Sequence, residues 1–186
     1  MLAAGAVALP LGLWLGHVRR GGFVALNLAG IGRAVPSLSI LLLCAQWLGL
    51  EEWPLVGSVS AWLTLALLGL APMLINSYVG MRDVAEPIRE SAAAMGMTGF
   101  QQAGRVELPL AAPLVLAGLR TAAVQIIATA TLAAWVGGGG LGRVDGFAVR
   151  DYAQVFGGAA LISALALATD SVFSLATRST LRRAGG

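Results

Sequence analysis

The sequence predicts an all-α, polytopic membrane bundle of about five transmembrane helices with a cytoplasmic helix-turn-helix loop, and three observations predict it. Hydrophobic residues make up 58% of the 186 and charged residues 11%, with a mean hydropathy of +0.82, outside the range of soluble domains. The apolar residues gather into runs of a length to cross a bilayer. Only one charged island interrupts them: residues 82 to 107 hold Arg82, Asp83, Glu86, Arg89, Glu90, Arg105 and Glu107 between two such runs. Residues 1–186 therefore read as a single transmembrane domain, with the loop 82–109 inside it.

The first apolar run is residues 2 to 16. The run ends in His17, Arg19 and Arg20, so its positive charge follows it instead of preceding it, the reverse of a signal peptide. We read a membrane helix that starts outside and ends in the cytoplasm, short at about 15 residues for the ~20 a span needs. The second run, Val35 to Leu50, has Pro36 near its start and Arg33 at its cytoplasmic edge. Glu51 and Glu52 form an outer turn, and Trp53 and Trp62 after them are of the type that sits at membrane interfaces. The third span, Leu55 to Val79, contains Pro72 and then Asn76, Ser77 and Tyr78. A proline there frees a backbone carbonyl, which is tolerated only where protein or a water-lined cavity satisfies it.

The island reads as two short helices and a turn. Pro87 suits a first helical position, and Glu86 and Glu90 place negative charge near the positive end of that helix. Gly96 stops it with a left-handed cap. Thr98 and Gln101 form a capping-box pattern that restarts a helix, which ends near Leu108 because Pro109 cannot continue the ladder. Ile88, Ala92 and Met95 fall on one narrow apolar strip, a surface that invites another protein.

Leu114 to Val136 is the fourth span. Thr121, Gln125 and Thr129 recur every four residues as a polar stripe, which either lines a pathway or bonds to a neighbouring helix. Arg120 is costly in lipid and must face the bundle or reach toward the cytoplasm. Gly137 to Gly142 is a flexible outer turn; it lacks the Gly-Lys-Ser/Thr ending of a phosphate loop. A fifth span, Tyr152 to Ala176, carries Asp170 near its inner end. This scheme puts Arg19, Arg20, Arg33, Arg82, Arg89, Arg105, Arg178, Arg182 and Arg183 on one side and only Arg143 and Arg150 on the other, as the positive-inside rule requires. A single cysteine placed at Ser91 should accordingly be shielded from an impermeant reagent added outside, while one at Gly146 reacts; outside labelling at 91 would reverse the topology.

Composition also excludes function classes. A pI near 10.0 would suggest nucleic acid in a soluble chain, but here the Arg flank apolar spans and anchor them. A single Cys, Cys44, and a single His, His17, rule out an internal disulfide, a cysteine or histidine metal cluster and a Ser/His relay within one chain.

Glu90, Ala92, Ala93, Gly96, Val106, Leu108 and Pro109 stand at the spacing of the cytoplasmic EAA loop of ABC importer permeases, with Ser91 in place of the usual first Ala and Val106 in place of the usual Ile. Residues 34–43, 70–81, 90–122 and 131–142 resemble the osmoprotectant branch of that family, which imports glycine betaine, choline, carnitine or proline, and the likeness covers most of residues 5 to 175. The resemblance implies a multi-pass subunit of the bacterial cytoplasmic membrane, among lipid and away from nucleic acid. It implies a second permease copy or a related permease chain, an ABC ATPase that receives the island through the seven residues above, and an extracytoplasmic substrate-binding protein. The chain carries no nucleotide motif, cofactor site or metal site of its own, so ATP and Mg are expected on the ATPase. Asn76, Thr121, Gln125 and Trp135, whose ring could receive a quaternary ammonium, are the substrate-pathway candidates. A permease for another small solute such as an amino acid is the alternative within the class. A phosphatidyl-alcohol transferase is suggested by residues 145–150 but lacks the further aspartates that hold its two metals, and a simple channel has no use for a capped coupling motif.

Overall fold

In a membrane, how closely two helices approach depends on small residues at their contact. The computed structural model describes residues 1–19, 22, 27, 30, 39, 52–53, 57–130 and 152–184, and small residues set its packing. Helix α1 (Leu2–Val18) buries Ala4, Ala8, Gly12 and Gly16, one residue in four and hence a single stripe. The stripe lies directly on α2 (Val59–Arg82): a Cβ at Gly12 would stand 2.8 Å from the Leu74 carbonyl oxygen, and one at Gly16 2.6 Å from that of Tyr78. α1 ends in a left-handed Arg19, at φ 55°.

On the opposite side α2 receives α5 (Leu108–Ala130). Gly118 meets the Asn76 Cβ and the Pro72 carbonyl oxygen, at 2.8 and 2.9 Å from where its own Cβ would be, and Gly80 meets Ala111. Ala4, Ala8, Met73 and Ala122 form the shared core, with Leu9, Leu70, Leu74 and Leu119 packed on it. α6 (Tyr152–Ala184) lies on the far side of α5, and its apolar span is exposed or half-buried apart from Gly158. The order across the bundle is thus α1, α2, α5, α6, with α2 and α5 at the centre. Among the described residues the bundle is all-α apart from a two-residue antiparallel pairing before α2, β1 (Glu52–Trp53) with β2 (Gly57–Ser58).

Among the described residues three stretches are long and apolar enough to cross a membrane, Trp62–Arg82, Gly99–Ala130 and Phe156–Thr177, and α1 is a shorter apolar helix. The second expected span, residues 35 to 50, lies outside the described residues. α2 starts at Val59, after the strand pairing, and not at Leu55, and it runs on to Arg82.

Between α2 and α5 the island forms α3 (Glu86–Ala94) and α4 (Gly99–Gln102). Glu86 opens α3 with Pro87 just behind it, so the proline is the second helical residue and not the first; both positions lack an internal N–H partner, which is why either accepts proline. Pro109 does not end a helix. The chain passes from α4 through a π-helical turn, Ala103–Glu107, straight into α5, with the Leu108 N–H donating to the Ala103 carbonyl five residues back. In a regular α-helix the proline ring would press on the carbonyl of Arg105, four residues earlier. A wider turn just before it relieves that conflict.

Candidate functional site

The island's local geometry follows from its caps. Gly96 has φ +80° with open space around it, so glycine is required there by backbone conformation alone. Thr98 accepts from the Gln101 N–H while the Gln101 side chain accepts from the Thr98 N–H at 3.0 Å, a complete capping box. These two features fold the chain back between α3 and α4.

Ala92 is 1% exposed, so it packs beneath α3 and is not at the centre of an outward strip, because the face of α3 that carries it is turned onto the rest of the chain. The outward apolar groups are Ile88, Met95 at 74% exposure and Phe100 at 91%. Glu90, Ala93, Gly96 and Pro109 are exposed beside them, Leu108 is exposed at 37%, and Val106 is half-buried.

Beneath the island lies a charged cluster that sequence reading did not find. Glu107, with its side chain fully buried, pairs with the His17 Nδ1 at 2.8 Å and the Arg89 Nε at 2.9 Å. The Arg89 Nη2 also donates to the His17 carbonyl at 3.1 Å, and the buried Gln102 Nε2 donates to the Arg89 carbonyl at 3.3 Å. At the rim Arg19 contacts Glu86 and donates to the Val84 carbonyl at 2.7 Å, and the Arg82 guanidinium stands 5.8 Å from the Tyr78 ring. His17 and the island Arg had been legible only as charges near a membrane face.

The pathway candidates separate. Thr121 and Gln125 line a groove of about 460 Å³ between α5 and α6, together with Arg120, Val124, Ala128 and Asp170. Across it Arg120 donates to both oxygens of Asp170, from Nε at 2.5 Å and from Nη2 at 2.7 Å. This fork-on-fork geometry keeps a positive and a negative group side by side within the spans. Thr129 donates to the Gln125 carbonyl and Thr121 to that of Ala117, so both hydroxyls are satisfied within α5. Asn76 is not in the groove: it donates to the Pro72 carbonyl at 2.8 Å and packs at the α2–α5 contact. Its one-turn spacing from Pro72 gives its amide that carbonyl within reach. Trp135 lies outside the described residues.

Residues 8–182 match the family described as binding-protein-dependent transport system inner membrane component. The chain is 38% identical to the choline transport system permease protein OpuBB of Bacillus subtilis over 174 residues, 92% of this chain and 77% of that one. It is 36% identical to the glycine betaine/carnitine/choline transport system permease protein OpuCB of the same organism, with the same coverage. The carnitine transport permease protein OpuCB of Listeria monocytogenes is 35% identical over 167 residues, 89% of this chain and 74% of that one. A chain of the solved MetNI methionine ABC transporter, in an inward-facing conformation, superposes with a TM-score of 0.80 at 20% identity, covering 96% of this chain and 88% of its own; that likeness concerns the fold.

Proposed function

Because the chain belongs to the family of binding-protein-dependent transport system inner membrane components, we propose that it is the permease subunit of an ATP-driven importer for a quaternary-ammonium solute such as choline, glycine betaine or carnitine. The observation that carries the reading is the island: a capped helix pair with an exposed apolar rim, mounted on the ends of three membrane helices. Its rim is the surface offered to a cytoplasmic ATPase, which hydrolyses ATP with Mg, while a binding protein delivers solute to the opposite face and a second permease completes the pathway. Glu90, beside the rim in the middle of α3, offers the ATPase a charge, and Gly96 sets the angle between the two helices.

The groove between α5 and α6 supplies the chemistry such solutes need. A quaternary ammonium has no N–H to donate and is held by negative charge or aromatic faces; the carboxylate of a betaine or carnitine is held by a guanidinium. Asp170 and Arg120 provide both signs within one bidentate pair, and Gln125 adds an amide on the same wall. Reconstitution in liposomes with the ATPase and binding protein tests the reading through ATP-dependent uptake of radiolabelled choline, glycine betaine and carnitine. Gln125→Leu should lower uptake about tenfold, the equivalent of one hydrogen bond of about 1.4 kcal/mol, with the complex still assembled. Failure of that variant to assemble would make Gln125 a helix-contact residue instead.

A further inference from the structure

We infer that Glu107 is a positioning residue that joins the island to the membrane helices, so that movement of α3 is delivered to α1 and α5 together. The inference rests on the transporter reading and assigns within it a role to a cluster that the rim itself does not contain. Three parts of the chain remote in sequence meet at this carboxylate: His17 from the last turn of α1, Arg89 from α3, and Glu107 from the π turn that begins α5.

Each partner has a physical reason to stay. A carboxylate with no exposed surface is costly to leave without partners; here one oxygen is hydrogen-bonded to the His17 imidazole, and the other stands 2.9 Å from the Arg89 Nε as a charge contact without hydrogen-bond alignment. The same Arg89 side chain donates to the His17 carbonyl, one of the carbonyls at the negative end of α1 that have no partner within the helix. Arg89 is thus at once the anchor of α3, the cap of α1 and the counter-ion of α5. The rest of α3 is attached more weakly: Glu86 meets Arg19 in an exposed contact, Ile88, Glu90, Ser91 and Ala93 are exposed, and Ala92 is its one buried apolar residue. A push on α3 that moved it alone would strand a buried charge. The lower-energy response is for the three elements to move as one piece, and α5 carries that movement to the groove lined by Arg120, Thr121 and Gln125.

The test uses the complete complex in liposomes, with ATP hydrolysis and uptake of labelled choline, glycine betaine and carnitine measured side by side. Glu107→Gln and Arg89→Gln should each insert and co-purify with the ATPase, while solute imported per ATP hydrolysed falls about tenfold. The double variant should be no worse than either single, because both remove the same joint. A wild-type ratio in Glu107→Gln overturns the inference, as do losses that multiply in the double variant. Should Glu107→Gln fail to accumulate, Arg89→Gln decides by the same ratio, a normal value again overturning it. A wild-type complex that imports none of the three solutes would instead overturn the transporter reading itself, and the joint with it.

Discussion

Gly118→Leu is expected to prevent the bundle from assembling. A Cβ at this position would stand 2.8 Å from the Asn76 Cβ and 2.9 Å from the Pro72 carbonyl oxygen. The second of these is backbone, in a helix already constrained by proline, so it cannot rotate away as a side chain would. Forcing extra methylenes into a packed site costs about 1–3 kcal/mol even where neighbours can adjust, and leucine here pushes apart the two central helices. The loss should be seen as a collapse in the yield of monodisperse protein after detergent extraction. Gly157→Leu is the control, because a Cβ at Gly157 meets nothing within 4 Å; normal yield for Gly118→Leu would show that α2 and α5 do not touch as described.

Ala92→Trp should abolish import while leaving the protein in the membrane. Ala92 is buried between α3 and the structure beneath it, and the indole needs a volume that no rotamer change around a fully packed methyl supplies. α3 must lift, taking Arg89 away from Glu107 and His17. Both the orientation of the exposed rim and its connection to α5 are then lost, so ATPase co-purification and uptake should fall to background together. These contacts lie at the island ends of α1 and α5 and not along their apolar lengths, so membrane insertion should match wild type. Retained uptake would place Ala92 outside the fold of the island.

The parts legible in the sequence were those governed by neighbours three or four residues apart. Gly96 and the Thr98–Gln101 box could be placed because a left-handed cap and a reciprocal pair of side-chain bonds are decided locally, and both are present as expected. The membrane class was legible because burial in lipid demands a composition that soluble domains do not have. Arg120 announced the need for a partner by its place in a span, and Asp170, the acidic residue of the last span, was the available signal for it; the pairing itself needed the contact of α5 with α6. What stayed hidden was longer in range. His17 and Glu107 are 90 residues apart, and no periodicity links them. Ala92 fitted an apolar strip equally well facing outward or inward, and only packing decided between the two. Pro109 was misjudged because the rule that proline stops a helix assumes the regular turn, and the chain met the proline with a wider one.

That wider turn also fixes which way α5 faces. A π turn accommodates one residue more than the α-helical path would, and one residue is about 100° of rotation in a helix of 3.6 residues per turn. Everything C-terminal to Glu107 is therefore clocked by that angle relative to the island. Gly118 is aimed at α2, and Arg120 and Gln125 at the groove beside α6, with this offset included. Removing a single residue from Ala103–Glu107 would leave the composition of α5 unchanged, yet it would turn glycine away from the helix it must touch and swing the arginine off its carboxylate. The azimuth of the central helix, and with it which of its faces meets α2 and which meets α6, is thus set at its island end, in the same turn that holds Glu107.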